Sequence, residues 1–192
     1  MTRRHFMVVP VDGPVTEPVL KLGGQPVWLA TPQWPISLEY DEPMTFVGQF
    51  PVPGGLAHLF MTRANDYAPY AAEPEGGENA VIVQPDGRLP MLRRTMHDEL
   101  APQQVAEQSE GPTVAPDHRL VQVTPEGEGE MQFADGEPEW LQGDETPGDG
   151  CRLIAQLAAE LLPFKVNFGD GGVGYVFLSA DGREGRFLWQ GH

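Results

Sequence analysis

The chain has little of what usually announces chemistry. Cysteine occurs once, as Cys151, among 192 residues, which excludes an internal disulfide and any zinc or iron–sulfur site built on several thiolates; a reducing, cytoplasmic setting is expected. Serine is confined to Ser37, Ser109 and Ser179, none of them in a Gly-x-Ser-x-Gly elbow, so a serine nucleophile has no visible frame. Neither His-Glu-x-x-His nor Cys-x-x-Cys occurs, and no metal or cofactor is expected. No apolar run approaches the length of about 18 residues that a membrane span requires. The basic and then briefly apolar opening, Met1-Thr2-Arg3-Arg4-His5-Phe6-Met7-Val8-Val9-Pro10, is expected to be a first strand and not a signal peptide.

Positive charge is the other shortage. Twelve Lys and Arg face 28 Asp and Glu, a net charge of −16, and residues 73–145 alone hold 17 acids against 4 arginines, or −13. A surface of that sign repels phosphate backbones and anionic lipid, so neither nucleic acid nor membrane is an expected partner, whereas a basic protein would be attracted. Solubility alone would also account for the acidity.

What is present is repetition. Gly24-Gln25-Pro26-Val27-Trp28-Leu29 returns as Gly136-Glu137-Pro138-Glu139-Trp140-Leu141, and Phe46-Val47-Gly48-Gln49-Phe50 as Leu153-Ile154-Ala155-Gln156-Leu157. In the same order, residues 54–62 match 171–179, residues 76–84 match 182–190, and the openings at His5 and His118 look related. Five echoes in one order predict a duplicated unit, at about 5–84 and 118–190, joined by an acidic linker over 85–117. Apolar residues alternate with small or polar ones at a period of two, which predicts strands. Residues 151–162 read alone as a helix, but the echo assigns 152–157 to a strand and leaves 158–162 as a short turn or helix before Pro163. The linker is expected to hold an edge strand at 89–94 and short helical pieces over 95–109, and 73–77 and 125–130 are expected as solvated loops. The expected fold class is therefore α+β: mostly antiparallel sheet, two β-rich units about an approximate two-fold axis sharing one core, and few short helices.

Several of these segments resemble the YwqG-like family of bacterial proteins, which has no agreed activity. The resemblance rests on Lys21-Leu22-Gly23-Gly24-Gln25-Pro26-Val27-Trp28, Trp34-Pro35, Met44-Thr45-Phe46-Val47-Gly48-Gln49-Phe50, Asn167-Phe168-Gly169-Asp170-Gly171-Gly172-Val173-Gly174-Tyr175-Val176-Phe177 and Gly185-Arg186-Phe187-Leu188-Trp189-Gln190. It implies a compact, sheet-dominated α+β fold with an internal duplication, and it carries over no catalytic residue. Some members of that family sit beside polymorphic toxin genes, so it also implies a toxin-neutralising role. Residues 85–117 show none of the family pattern.

Most candidates for chemistry have a plainer structural reading. Ser179 ends a strand where Thr62 ends its counterpart, Cys151 stands where Met44 stands, and His58 stands where Tyr175 stands. Asn167 to Gly172 lacks the Lys-Ser/Thr of a phosphate loop, and Asp170 would repel phosphate. His58 and His97 would need nearby acids to complete a metal site, and 126–130 lacks the ligand pattern of a calcium loop. The polar residues to watch are Gln49 and Gln156, equivalent under the duplication and each set in an apolar strand, together with His58, Tyr175, Trp28 and Trp140. Either they hold a small ligand in a crevice between the units, or the glutamines bond neighbouring backbone and the tryptophans anchor the core. The two functional expectations are a non-enzymatic protein-binding module, of toxin-neutralising type, for a basic partner, and a small-ligand-binding protein or unrecognised enzyme using the crevice.

Overall fold

The computed structural model describes residues 2–68, 70–89, 94–96, 117–122, 132–148 and 150–192. Side-chain alternation builds its strands. Along β5 (Gly55–Met61), Ala57, Leu59 and Met61 enter one hydrophobic cluster while Phe60 enters another, and in β6 (Asn79–Gln84), Val81 and Val83 oppose Ala80 and Ile82 in the same way. Both faces carry apolar residues because both are covered.

Ten strands form one antiparallel sheet. Its order is β12 (Gly185–Gln190), β11 (Val173–Leu178), β10 (Arg152–Ala158), β9 (Phe133–Ala134), β1 (Arg4–Pro10), β8 (His118–Gln122), β2 (Lys21–Leu22), β4 (Thr45–Val52), β5 and β6. The sheet curls until its two edges meet. Gly185 on β12 lies so close to β6 that a Cβ there would fall 2.2 Å from Val81 Cγ1, and the Arg88 N–H donates to Arg183 O across the seam at 2.6 Å. The enclosed side holds one core drawn from the whole sheet, including Phe6, Leu22, Val47, Leu59, Val81, Ile154, Val176 and Phe187. β3 (Trp34–Ile36) and β7 (Arg94–Met96) form a separate small ladder.

The α+β class expected from the sequence is overturned: this is a nearly all-β, barrel-like protein. Among the described residues the one helical element is the 3-10 turn Ala159–Leu161. The helix-like spacing around it has another cause. A bulge between Leu153 and Ala155 puts Ile154 and Ala155 together in the inner core while Leu153 packs outside, so the period of two slips once. An equivalent bulge separates Phe46 from Gly48 in β4. Of the linker helix proposed over 95–109, Thr95 and Met96 are strand, and the remainder lies outside the described residues, as do His97 and residues 125–130.

The register recurs rung for rung. Gln49 faces His58 as Gln156 faces Tyr175, Ile82 faces His58 as Leu188 faces Tyr175, and Gln84 faces Leu56 as Gln190 faces Val173. One echo is displaced: Leu22 faces His118 and Ala134 faces Arg4, so the counterpart of His118 is Arg4 and not His5. The two units are also not stacked as separate bodies. β1 pairs with β9 of the second unit, β8 pairs with β2 of the first, and β1 and β8 pair with each other. Each unit thus lends its first strand to the other's sheet.

Candidate functional site

The six residues singled out from the sequence fall into two matching groups, each closed within its own unit. In the first, Gln49 Oε1 accepts the Val27 N–H at 2.9 Å, its Nε2 donates to Val19 O at 2.9 Å, and His58 Nε2 lies 2.9 Å from Val27 O. In the second, Gln156 Oε1 accepts the Glu139 N–H at 2.9 Å, and the Tyr175 hydroxyl donates to Glu139 O at 3.0 Å while accepting the Leu141 N–H at 3.1 Å. Trp28 stacks on Phe60 and Trp140 on Phe177, with ring centroids 6.0 and 5.9 Å apart. The Gly-x-Pro-x-Trp-Leu loop of each unit is therefore clamped onto the outer face of its own sheet. Gln49, Gln156, His58 and Tyr175 are wholly buried, and backbone engages Gln49, His58, Tyr175 and the Gln156 carbonyl oxygen.

A third member of each clamp went unnoticed in the sequence. Gln84 Oε1 accepts the Leu29 and Ala30 N–H groups at 3.0 and 3.2 Å and its Nε2 donates to Thr31 O at 2.9 Å. Gln190 repeats this, accepting the Gln142 N–H at 3.0 Å and donating to Gly143 O at 2.8 Å. The available signal was identity: both close the fourth echo.

Electrostatics set the character of these groups. Burial lowers the His58 pKa below its ordinary 6.5, against the opposing pull of the Val27 and Ile82 carbonyls. Burial pushes the Tyr175 hydroxyl up to about 12. It also raises the Cys151 thiol, which therefore resists forming the thiolate a nucleophile needs. A buried ion pair, also missed, joins Lys21 Nζ to Asp117 Oδ1 at 3.0 Å, with Asp117 Oδ2 accepting the Val15 N–H at 2.7 Å and Lys21 donating to Val15 O at 3.1 Å. Glu78 is buried too, its carboxylate accepting from the Ser37 hydroxyl at 2.6 Å and the Leu38 and Glu39 N–H groups at 3.0 and 2.9 Å. Among the described residues no three His, Cys, Asp or Glu side chains converge on a metal-sized site, and no helix is long and apolar enough to cross a membrane.

A crevice between the units does exist, elsewhere. A groove of about 630 Å³ opens at one end of the seam, walled by Val52 and Val83 from the first unit, Pro85 at the start of the linker, and Arg152, Leu178 and Arg183 from the second unit. None of the six candidates lines it. Its rim is cross-linked: Arg88 bonds Asp181 at 2.5 Å, which together with Ser179 holds that carboxyl well below the usual range, and Arg183 Nε donates to Asp86 O at 3.0 Å.

The units differ where the duplication is interrupted. The first carries longer connections at 34–43 and 63–77, facing 146–150 and 180–183 in the second. The second carries its own at 158–170, and this one is spent on packing: Val166 and Phe168 enter the core and the Asn167 N–H donates to Ala64 O at 2.6 Å. No protein-family model matches the chain, and no curated protein matches it.

Proposed function

We propose that the chain is a non-enzymatic, YwqG-like protein-binding module of the bacterial cytoplasm that captures a basic protein, in the manner of an immunity protein neutralising a toxin. The observation that carries this reading is where the polar chemistry goes. The buried glutamines, histidine and tyrosine that could have formed a reactive centre are consumed in holding backbone, while a net charge of −16 remains to act on the outside. Long-range attraction of that kind raises association rates and selects for partners of opposite sign.

The test is a library of Lys/Arg-rich, neutral and acidic peptides, titrated by fluorescence anisotropy at low and high salt. Saturable binding of basic peptides that weakens steeply with salt supports the reading. Basic peptides binding no better than neutral ones, or affinity indifferent to salt, argues against it.

The inter-unit groove favours a second reading, a small ligand held between Arg152, Arg183 and the apolar wall of Val52, Val83 and Leu178. Thermal-shift screening against small anions tests it, since a ligand at 100 times its Kd adds about 2.7 kcal/mol. An absence of any shift across such a screen counts against the groove.

A further inference from the structure

Three of the chain's four tyrosines, Tyr40, Tyr67 and Tyr70, lie in the connections that lengthen the first unit, and the fourth is Tyr175 of the buried clamp. A duplicated fold needs its repeated residues to pack, and the short counterpart at 180–183 closes the same hairpin with no aromatic. The extra length in the first unit is therefore not required to complete the sheet. Part of it packs inward, with Ala64 and Trp34 in the core clusters and Ala68 and Ala71 buried, but its largest remaining side chains do not: Tyr67 and Tyr70 stand 72% and 61% exposed, and Leu38 stands 40% exposed. Tyrosine is the residue best suited to contact, supplying a large amphipathic ring at low entropic cost, and two large exposed aromatics in one connection offer apolar surface for a partner.

The two connections form one surface. The Leu38 N–H donates to Gly77 O at 3.4 Å, the Arg63 guanidinium lies over the Tyr40 ring at 3.8 Å, and Arg63 pairs with Glu42 at 3.0 Å. The surface is also held in advance of any contact. Asn79 Nδ2 donates to Ala71 O at 2.7 Å and Glu73 O at 3.0 Å, and the Glu73 N–H donates to Tyr70 O at 3.0 Å. A fixed loop loses less freedom on binding.

Its charge names the partner. Arg63, Arg94 and Arg186 neutralise Glu42, Asp41 and Glu75. Glu39, Asp66 and Glu73 are left with no cation within ion-pair distance among the described residues. We infer that Tyr67, Tyr70 and Leu38, with Asp66, Glu73 and Glu39 respectively beside them along the chain, form the docking surface for a Lys/Arg-rich protein segment, an assignment that rests on the basic-partner reading and locates it. Aromatic faces accept lysine stems and arginine planes, and the carboxylates meet their charges.

The experiment uses the whole chain and the tightest Lys/Arg-rich peptide from the library. Tetranitromethane nitrates accessible tyrosine, and the sites are mapped by mass spectrometry with and without peptide. Tyr67 and Tyr70 are expected to react in the free protein and to be protected by the peptide, while buried Tyr175 stays unreactive in both. A Tyr67→Ala/Tyr70→Ala variant, checked for an unchanged Tm, is expected to bind the peptide about tenfold more weakly. Unchanged affinity in that variant, with both tyrosines still reactive under peptide, overturns this location and leaves the basic-partner reading in place. If no basic peptide binds at all, both fall.

Discussion

His58 and Tyr175 stand on the same rung of the two units and make the same contact with different chemistry: a ring nitrogen 2.9 Å from Val27 O in one, a phenol hydroxyl donating to Glu139 O at 3.0 Å in the other. Only His58 has an ordinary pKa near neutral, at 6.5. Because burial depresses the His58 pKa, the folded state favours the neutral ring, and the unfolded chain takes up the proton more readily. The stability this group supports is present above the unfolded value of 6.5 and is lost as pH falls below it toward the lowered folded value. Urea unfolding of the wild type between pH 7.5 and about 5 should show a decline with a slope of up to about 1.4 kcal/mol per pH unit from this group. His58→Tyr, which copies the second unit, should flatten the decline. A variant with the same pH slope as the wild type would remove His58 from the explanation.

Gln49 and Gln156 should matter equally and independently. Each is buried and satisfies loop backbone, Gln49 at Val27 and Val19 and Gln156 at Glu139, in different units. Gln49→Leu and Gln156→Leu should each destabilise by about 1–3 kcal/mol through the backbone groups left unpaired. The double variant should equal the sum within about 0.5 kcal/mol, read from denaturant midpoints at constant m.

Lys21 presents a contrast with Phe133, which occupies the corresponding rung, each facing a clamp glutamine. Lys21→Met alone strands the Asp117 carboxylate in a buried position and should cost about 3–5 kcal/mol. Adding Asp117→Leu should recover most of that loss, because the second unit already tolerates an apolar side chain on that rung. If the double variant is no more stable than Lys21→Met, the pair has a role that packing cannot replace.

Exchange of β1 and β8 makes each unit incomplete. Separate chains covering 1–96 and 117–192 should be largely unfolded alone, since each lacks a strand its own sheet requires. Mixed, they should regain strand signal in circular dichroism as a one-to-one complex. Independent folding of either piece would contradict the shared core.

Side-chain orientation was largely legible before the fold was. Alternation in Leu56-Ala57-His58-Leu59-Phe60-Met61 marks a strand, and the likeness of Gln49 to Gln156 puts two distant residues on matching rungs, because a period of two decides which side chains share a face. The bulges at Phe46/Gly48 and Leu153/Ala155 interrupted that period and made part of β10 look helical. The clamps were half legible: the candidate residues stood out as polar groups in apolar strands, whereas the groups they bind are carbonyls and N–H donors of Val27 and Glu139, which carry no mark in the side-chain alphabet.

Sequence by itself determined which residues recur, which side chains alternate and how lopsided the charge is, since all three are properties of neighbouring letters. Tertiary structure alone decided that β1 crosses to β9, that β6 meets β12, that Lys21 finds Asp117, and that Tyr67 and Tyr70 remain outside. Those outcomes depend on which strand edges and buried charges find each other once the sheet curls around a common core. Every strand offers similar backbone donors and acceptors, so local pattern does not specify the partner.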